Sequence, residues 1–66
     1  MQIVVNGTDR VVPDGSCVAQ LLDAMALAGK RVAVERNGEI VPKSLHAQVA
    51  LAEGDRLEIV VAVGGG

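Results

Sequence analysis

The chain has 66 residues, a net charge of −2 and an apolar content of 50%, with no Phe, Tyr or Trp. This length and composition favour one small folded domain and exclude a disordered chain. The missing aromatic residues exclude a base-stacking surface, and the acidic balance argues against nucleic acid as a partner.

The first predicted element is a β-hairpin. Residues 2–5 alternate at the period of a strand, and Asn6-Gly7 follows, a pair that tolerates the positive φ angles of a tight turn. Residues 10–12 form the returning strand. Pro13 ends it, because proline donates no hydrogen bond to a sheet.

One amphipathic helix is predicted next. Its apolar residues recur at i, i+3, i+4 and i+7, and they are Val18, Leu21, Leu22 and Met25. Either Asp14 or Ser16 is suited to cap its first turn. We expect about three turns. Gly29 is suited to end the helix in a left-handed conformation, which would place Lys30 and Arg31 beside its negative end.

A second hairpin follows the helix. Residues 32–34 repeat at the period of a strand, and Asn37-Gly38 supplies the turn. Residues 39–41 return until Pro42 stops the strand.

The last predicted element is a strand after an irregular segment. Residues 44–52 have no clean period and predict a loop with one helical turn, whereas residues 56–61 predict a strand with Leu57, Ile59 and Val61 on one face. The order is β-β-α-β-β-β, and the single helix must bury its apolar stripe against the sheet. The sequence therefore predicts an α+β protein of β-grasp, ubiquitin-like fold, with a mixed sheet of about five strands.

The chain lacks the features of a secreted or membrane protein. One cysteine cannot form an internal disulfide, and the first residues lack the positive segment of a signal peptide. The longest apolar run, residues 59–63, is much shorter than the roughly 20 residues that span a bilayer. We expect a cytoplasmic protein, monomeric on its own and without a membrane partner.

The side chains offer no catalytic or metal-binding constellation. His46 has no acidic or serine partner at a relay spacing, so we interpret it as a loop histidine that hydrogen-bonds the backbone. Cys17 lies at the start of the helix, where amides can make a thiol reactive, but we interpret it as a small space-filling residue. One His and one Cys cannot fill the four positions of a zinc site. We expect neither an enzyme nor a metal site.

The sequence closes with Gly64, Gly65 and Gly66, directly after the apolar last strand. We interpret residues 1–63 as the β-grasp domain and the glycines as a flexible tail, with a frayed terminus as the alternative. Glycine has no Cβ, and five residues reach at most about 17 Å. Such a tail can thread Gly64 and Gly65 into an enzyme and present the carboxylate of Gly66 for modification.

A docking surface is predicted beside the tail. If alternate residues of the last strand face the helix, Val60 and Ala62 face the other side of the sheet. Val4 joins them if the first and last strands are adjacent. Apolar residues on an open sheet face indicate a surface for a partner.

Several segments in combination resemble a known family. They are Asn6-Gly7, Pro13-Asp14-Gly15, the Val-x-x-Leu-Leu helix from Val18, VAVERNGEIVP at residues 32–42, Ser44-x-His46, Glu53-Gly54-Asp55 and the terminal Val-Gly-Gly-Gly. Over its whole length the chain is similar to the sulfur carriers of thiamine biosynthesis, the ThiS family. It departs from the family pattern at Cys17, where Thr or a small residue is usual, and at Val60-Val61, where Val-His is common.

The resemblance implies a mechanism. In the family, an ATP-dependent activating enzyme (ThiF) adenylates the C-terminal carboxylate, here that of Gly66, and a persulfide donor displaces AMP to leave a thiocarboxylate. Thiazole synthase (ThiG) takes the sulfur into the thiazole ring. ATP and Mg²⁺ belong to the activating enzyme, so the resemblance implies no cofactor on the carrier.

Two alternatives stay open. A sulfur carrier for molybdopterin synthesis or tRNA thiolation shares the fold and the glycine end, although molybdopterin carriers are usually longer and richer in aromatic residues. A β-grasp binding module with an inert tail belongs to a different class. Conversion of the C-terminus to an acyl-adenylate separates a carrier from such a module.

Overall fold

The computed structural model describes residues 1–62, and its elements follow the predicted order. They are β1 (Gln2–Val5), β2 (Thr8–Val11), α1 (Val18–Ala24), β3 (Val32–Arg36), β4 (Glu39–Val41) and β5 (Arg56–Val61). A short 3-10 turn, Lys43–Leu45, confirms the single helical turn expected before the last strand. The predicted tail, Gly64 to Gly66, lies outside the described residues.

The strands form one mixed sheet in the order β2-β1-β5-β3-β4. β1 and β5 are parallel neighbours, whereas the other neighbouring strands are antiparallel. The last strand therefore lies at the centre of the sheet, beside the first. This adjacency meets the condition under which Val4 shares a sheet face with Val60.

The helix packs on one face of the sheet over an entirely aliphatic core. The buried members of this core are Ile3, Val5, Val12, Val18, Leu21, Leu22, Val34, Val41, Leu51, Leu57 and Ile59. Val61 continues the alternation of Leu57 and Ile59 but is 40% exposed. The predicted alternation therefore holds along β5, but the core covers Val61 less than Leu57 and Ile59, at the end of β5 that extends past β1.

The helix ends earlier than the sequence predicted. α1 has seven residues, about two turns, and the left-handed residue that ends it is Ala26, with φ 59°. Gly29 is left-handed as expected, with φ 79°, but it lies beyond the helix end. The Leu27 N–H donates to the Leu22 carbonyl at 2.8 Å, and the Ala26 N–H donates to Asp23 at 3.0 Å. This is a Schellman ending, in which half-buried Leu27 packs on the core. The helix thus ends where Leu27 turns back to pack against the core.

The start of the helix also differs from the prediction. Cys17 occupies the capping position that was assigned to Asp14 or Ser16. The Gln20 side chain accepts a hydrogen bond from the Cys17 N–H at 2.9 Å. The Ser16 hydroxyl donates instead to the Pro13 carbonyl at 2.6 Å, and the Asp14 carboxylate lies 3.1 Å from the N-terminal ammonium.

Candidate functional site: the last strand and its exposed face

The chain reaches its glycines through β5, which is paired unequally on its two sides. On one side β3 pairs along the whole of β5, from Arg36 opposite Leu57 to Val32 opposite Val61. On the other side the parallel pairing with β1 ends at Leu57. In the described part of the chain, no strand therefore lies beside the second half of β5 on the β1 side.

At Ile59, the side chain of Asn6 makes the backbone hydrogen bonds that a neighbouring strand would otherwise make. Its amide nitrogen donates to the Ile59 carbonyl at 3.1 Å, and its amide oxygen accepts from the Ile59 N–H at 2.8 Å. The backbone of Asn6 has φ 51°, a conformation that asparagine adopts more readily than most residues. Asn6 thus turns the first hairpin and also holds the last strand, a role that the sequence did not reveal.

The beginning of β5 is held by a buried carboxylate. Asp55 is only 6% exposed and accepts hydrogen bonds from Arg36 Nε at 2.7 Å, Asn37 Nδ2 at 3.0 Å and the Ala52 N–H at 2.8 Å. Burial raises the pKa of Asp55, but the bonds from these three donors outweigh burial and lower the pKa below its ordinary value. The ionised carboxylate joins the β3–β4 turn to the start of β5.

The three predicted docking residues lie on the sheet face opposite the helix. Val60 is 64% exposed, Ala62 is exposed and Val4 is half-buried. Val4 pairs with Arg56, so it lies about 13 Å along β5 from Val60. Arg56 lies beside Val4, and Glu58 occupies the position between Arg56 and Val60 on the same face. The structure therefore brings Val60 and Ala62 together and leaves Val4 apart, and the docking role of all three stays a prediction.

A shallow groove of about 350 Å³ contains Val60 and Ala62. Ala33, which is paired with Val60 across the strands, extends the apolar floor. Arg31 and Lys43 lie along the same groove. We call this surface, formed by Arg31, Val32, Ala33, Lys43, Val60 and Ala62, the β5 groove. The sequence missed Ala33, Arg31 and Lys43 because strand pairing, not sequence proximity, places them beside Val60.

The two side chains considered for chemistry have structural surroundings. His46 is buried, and its Nε2 lies 3.1 Å from the Val41 carbonyl oxygen, which confirms a histidine bonded to the backbone. Cys17 is half-buried, and its space-filling role stays a prediction. Within residues 1–62, no three His, Cys, Asp or Glu side chains group as metal ligands, and no helix is long and apolar enough to cross a membrane.

A five-stranded mixed sheet, crossed by one helix and with the last strand at its centre, defines a β-grasp protein of the ubiquitin-like class. The ThiS family model matches residues 2–66. The sulfur carrier protein ThiS of Bacillus subtilis is 41% identical over 63 residues, covering 94% of this chain and 96% of that protein. The chain therefore belongs to the ThiS family, which confirms the resemblance seen in the sequence.

Two further comparisons extend this result. The crystal structure of the thiamine biosynthesis protein ThiS from Geobacter metallireducens matches with a TM-score of 0.84 and 32% identity, over 100% of both chains. A protein of Paramagnetospirillum magneticum named thiazole synthase is 50% identical over 66 residues, which are 100% of this chain and 20% of that protein. The chain thus spans about a fifth of the length of that relative.

Proposed function

We propose that this protein is a sulfur carrier of thiamine biosynthesis and that its working group is the C-terminal carboxylate of Gly66. The observation that carries the proposal is the family match over residues 2–66, which includes the terminal glycines. The position of β5 supports it, because this central strand ends at Val61, three residues before Gly64. A rigid body that delivers a thin glycine segment suits a carrier whose end is modified inside other proteins.

The proposed chemistry begins with activation of the Gly66 carboxylate. A carboxylate at neutral pH is a poor electrophile, so its oxygen first attacks the α-phosphorus of ATP on a ThiF-like enzyme and releases pyrophosphate. The terminal sulfur of a persulfide donor then attacks the acyl carbon and displaces AMP. Cleavage of the S–S bond by a reducing thiol leaves the thiocarboxylate.

The carrier supplies no side chain to these steps. Gly64 and Gly65 thread through the enzyme channel, where a Cβ would add width and restrict φ. ATP and Mg²⁺ are bound by the activating enzyme, so the carrier needs no cofactor and is not itself an enzyme.

The β5 groove is the proposed docking surface for the activating enzyme. Its exposed apolar floor of Ala33, Val60 and Ala62 adjoins the strand that leads to the tail. Arg31 and Lys43 give the groove a positive side. The partner surface should therefore combine apolar side chains with carboxylates.

A thiazole synthase (ThiG-like) is the proposed acceptor of the sulfur. The similarity to a relative that bears the name thiazole synthase, and in which this region is a fifth of the chain, supports that acceptor. The thiocarboxylate is a soft nucleophile that can attack an electrophilic carbon of the thiazole precursor.

The test is reconstitution followed by intact-protein mass spectrometry. Incubation with a ThiF-like enzyme, ATP and a persulfide donor should replace one oxygen of the carrier by sulfur. Addition of a thiazole synthase with its other substrates should return the carrier to its original mass. Sulfur loading that is discharged only by a molybdopterin or tRNA-thiolation system would assign the carrier to another pathway. No loading at all would favour an inert binding module.

A further inference from the structure

The hydrogen bonds of β5 alternate between its two sides. The Ala62 N–H donates to the Arg31 carbonyl at 2.9 Å, and the Asn37 N–H donates to the Arg56 carbonyl at 2.8 Å. Both bonds join even-numbered residues of the last strand to the β3 side. In an antiparallel pair, successive residues point their N–H and C=O groups alternately toward one neighbouring strand and away from it. The odd-numbered residues of β5 therefore point their N–H and C=O groups toward the β1 side.

The odd-numbered residues have different partners along β5. The Leu57 carbonyl accepts from the Asn6 backbone N–H at 2.9 Å, and both polar groups of Ile59 are bonded by the Asn6 side chain. Val61 is the next odd-numbered residue. Among residues 1–62, none pairs with Val61 on that side, since β1 has already turned away at Gly7. The backbone of Val61 thus forms a one-residue open edge directly after the Asn6 contact.

We propose that the activating enzyme adds an extended segment of its own backbone to this open edge of Val61, and that Asn6 is a positioning residue that determines where the added strand begins. This inference rests on the proposed carrier function. An N–H and a C=O on the same side of an extended residue are complemented by the backbone of another strand, as in β-strand addition.

The location of the edge favours the enzyme as its occupant. Val61 lies five residues before Gly66, a distance of at most about 17 Å even when the chain is fully extended. Any enzyme that holds the Gly66 carboxylate in its site must therefore have its surface close to Val61. The β5 groove begins at the neighbouring residues Val60 and Ala62, so one partner can cover the groove and the edge together.

Asn6 determines where the open edge begins. Its carboxamide satisfies Ile59, which would otherwise present a second unpaired N–H and C=O on the same edge. Within the described residues, a partner strand then has its pairing position at Val61, directly after the Asn6 contact. The register of the added strand sets the depth to which the tail enters the enzyme, since a shift by one residue moves the terminus by about 3.3 Å.

The test uses Val61→Pro with Val61→Ala as its reference. Both changes remove the valine side chain, but only proline removes the N–H that faces the open edge. No bond to β3 is lost, and the preceding residue, Val60, is already extended, as proline requires. Both variants should melt within a few degrees of each other. In the sulfur-loading assay, Val61→Pro should have a KM about tenfold higher than Val61→Ala, with kcat changed less.

Amide hydrogen exchange of the unmodified carrier provides an independent measurement. The Ile59 N–H should exchange slowly in the carrier alone and in the complex, because Asn6 accepts its hydrogen bond. The Val61 N–H should exchange rapidly in the carrier alone and about tenfold or more slowly with the activating enzyme. If the proline variant fails to fold, protection of the Val61 amide in the complex still tests the proposed strand addition.

Three outcomes would overturn the proposal. They are equal KM values for the two Val61 variants, an unprotected Val61 amide in the complex, and concentration-dependent protection in the carrier alone, which would show that a second copy occupies the edge. If the wild type loads sulfur normally, any of these results would exclude the proposed strand addition and leave the carrier function unaffected. If the wild type does not load sulfur at all, the carrier function itself fails.

Discussion

Removal of the Asp55 carboxylate should cost a large share of the stability of this small domain. Asp55→Ala leaves the Ala52 N–H and the Asn37 amide without their acceptor, at about 1 kcal/mol each. The Arg36 side chain is 32% exposed, so water replaces much of its lost contact and we assign only about 1 kcal/mol to it. The expected loss is therefore about 3 kcal/mol.

That loss is measurable because a chain of this length has a total stability of roughly 3–10 kcal/mol. The melting temperature should fall by about 12–24 °C. The assay is urea unfolding followed by far-UV circular dichroism, since the chain has no Trp or Tyr for fluorescence. Asp9→Ala, at an exposed position of β2, is the control and should change stability by less than about 0.5 kcal/mol.

The pH dependence follows from the lowered pKa of Asp55. In the unfolded chain this carboxyl titrates near its ordinary value of 3.8, whereas in the folded protein it stays ionised to lower pH. Its stabilisation is therefore fully present above pH 3.8 and is lost as the pH falls through the folded-state pKa. The difference between wild type and Asp55→Ala should be constant between about pH 5 and 7 and should shrink in acid. A stability loss under about 1 kcal/mol at neutral pH would refute the role assigned to Asp55.

Two further predictions concern the docking surface and the end of the helix. Val60→Asp should raise the KM for the activating enzyme about tenfold without unfolding the protein. The control, Val11→Asp, should have little effect, because Val11 is 80% exposed but lies two strands away from β5. Equal KM values for the two variants in steady-state assays would exclude the β5 groove as the docking surface. Ala26→Gly should raise the stability by about 0.5–1 kcal/mol in urea unfolding, because φ is 59° there. Ala24→Gly, at the last residue of α1, should lower the stability instead, and the same sign for both would contradict the assigned helix end.

The order of elements was predictable from the sequence because each element leaves a local pattern. The Asn-Gly turns, the alternation of β5 and the apolar stripe of α1 all lie within short windows of sequence. The helix end was not predictable by the same means, since Gly29 satisfies the usual rule for a helix end. Ala26 adopts the left-handed conformation where the following residue, Leu27, packs against the core, and that tertiary contact leaves no local signal.

The second role of Asn6 could not be predicted for a related reason. Its partner Ile59 is 53 positions away, and a turn asparagine with a distant bond has the same local signature as one without it. The docking residues were placed on the correct face by alternation alone. The separation of Val4 from Val60 depends on the register of β1 against β5, which pairs Val4 with Arg56 and which no local pattern specifies.

The most direct test of the carrier function is the dependence of sulfur loading on the position of the terminal carboxylate. Wild type, a variant lacking Gly66, a variant with one added glycine and Gly65→Val are each incubated with a ThiF-like enzyme, ATP and a persulfide donor. The intact masses are then compared. The variant lacking Gly66 presents its carboxylate about 3.5 Å short of its site, and a displacement of about 1 Å can cost roughly a hundredfold in rate.

The variants should share the unfolding curve of the wild type, because aliphatic side chains of residues 1–62 form the described core and glycine has no side chain to add to it. Gly65→Val should load poorly because a branched side chain widens the segment and restricts φ. Only the wild type should gain sulfur efficiently. If the variant with an added glycine is loaded as readily as wild type, the position of the Gly66 carboxylate does not matter and the carrier function proposed for it is wrong.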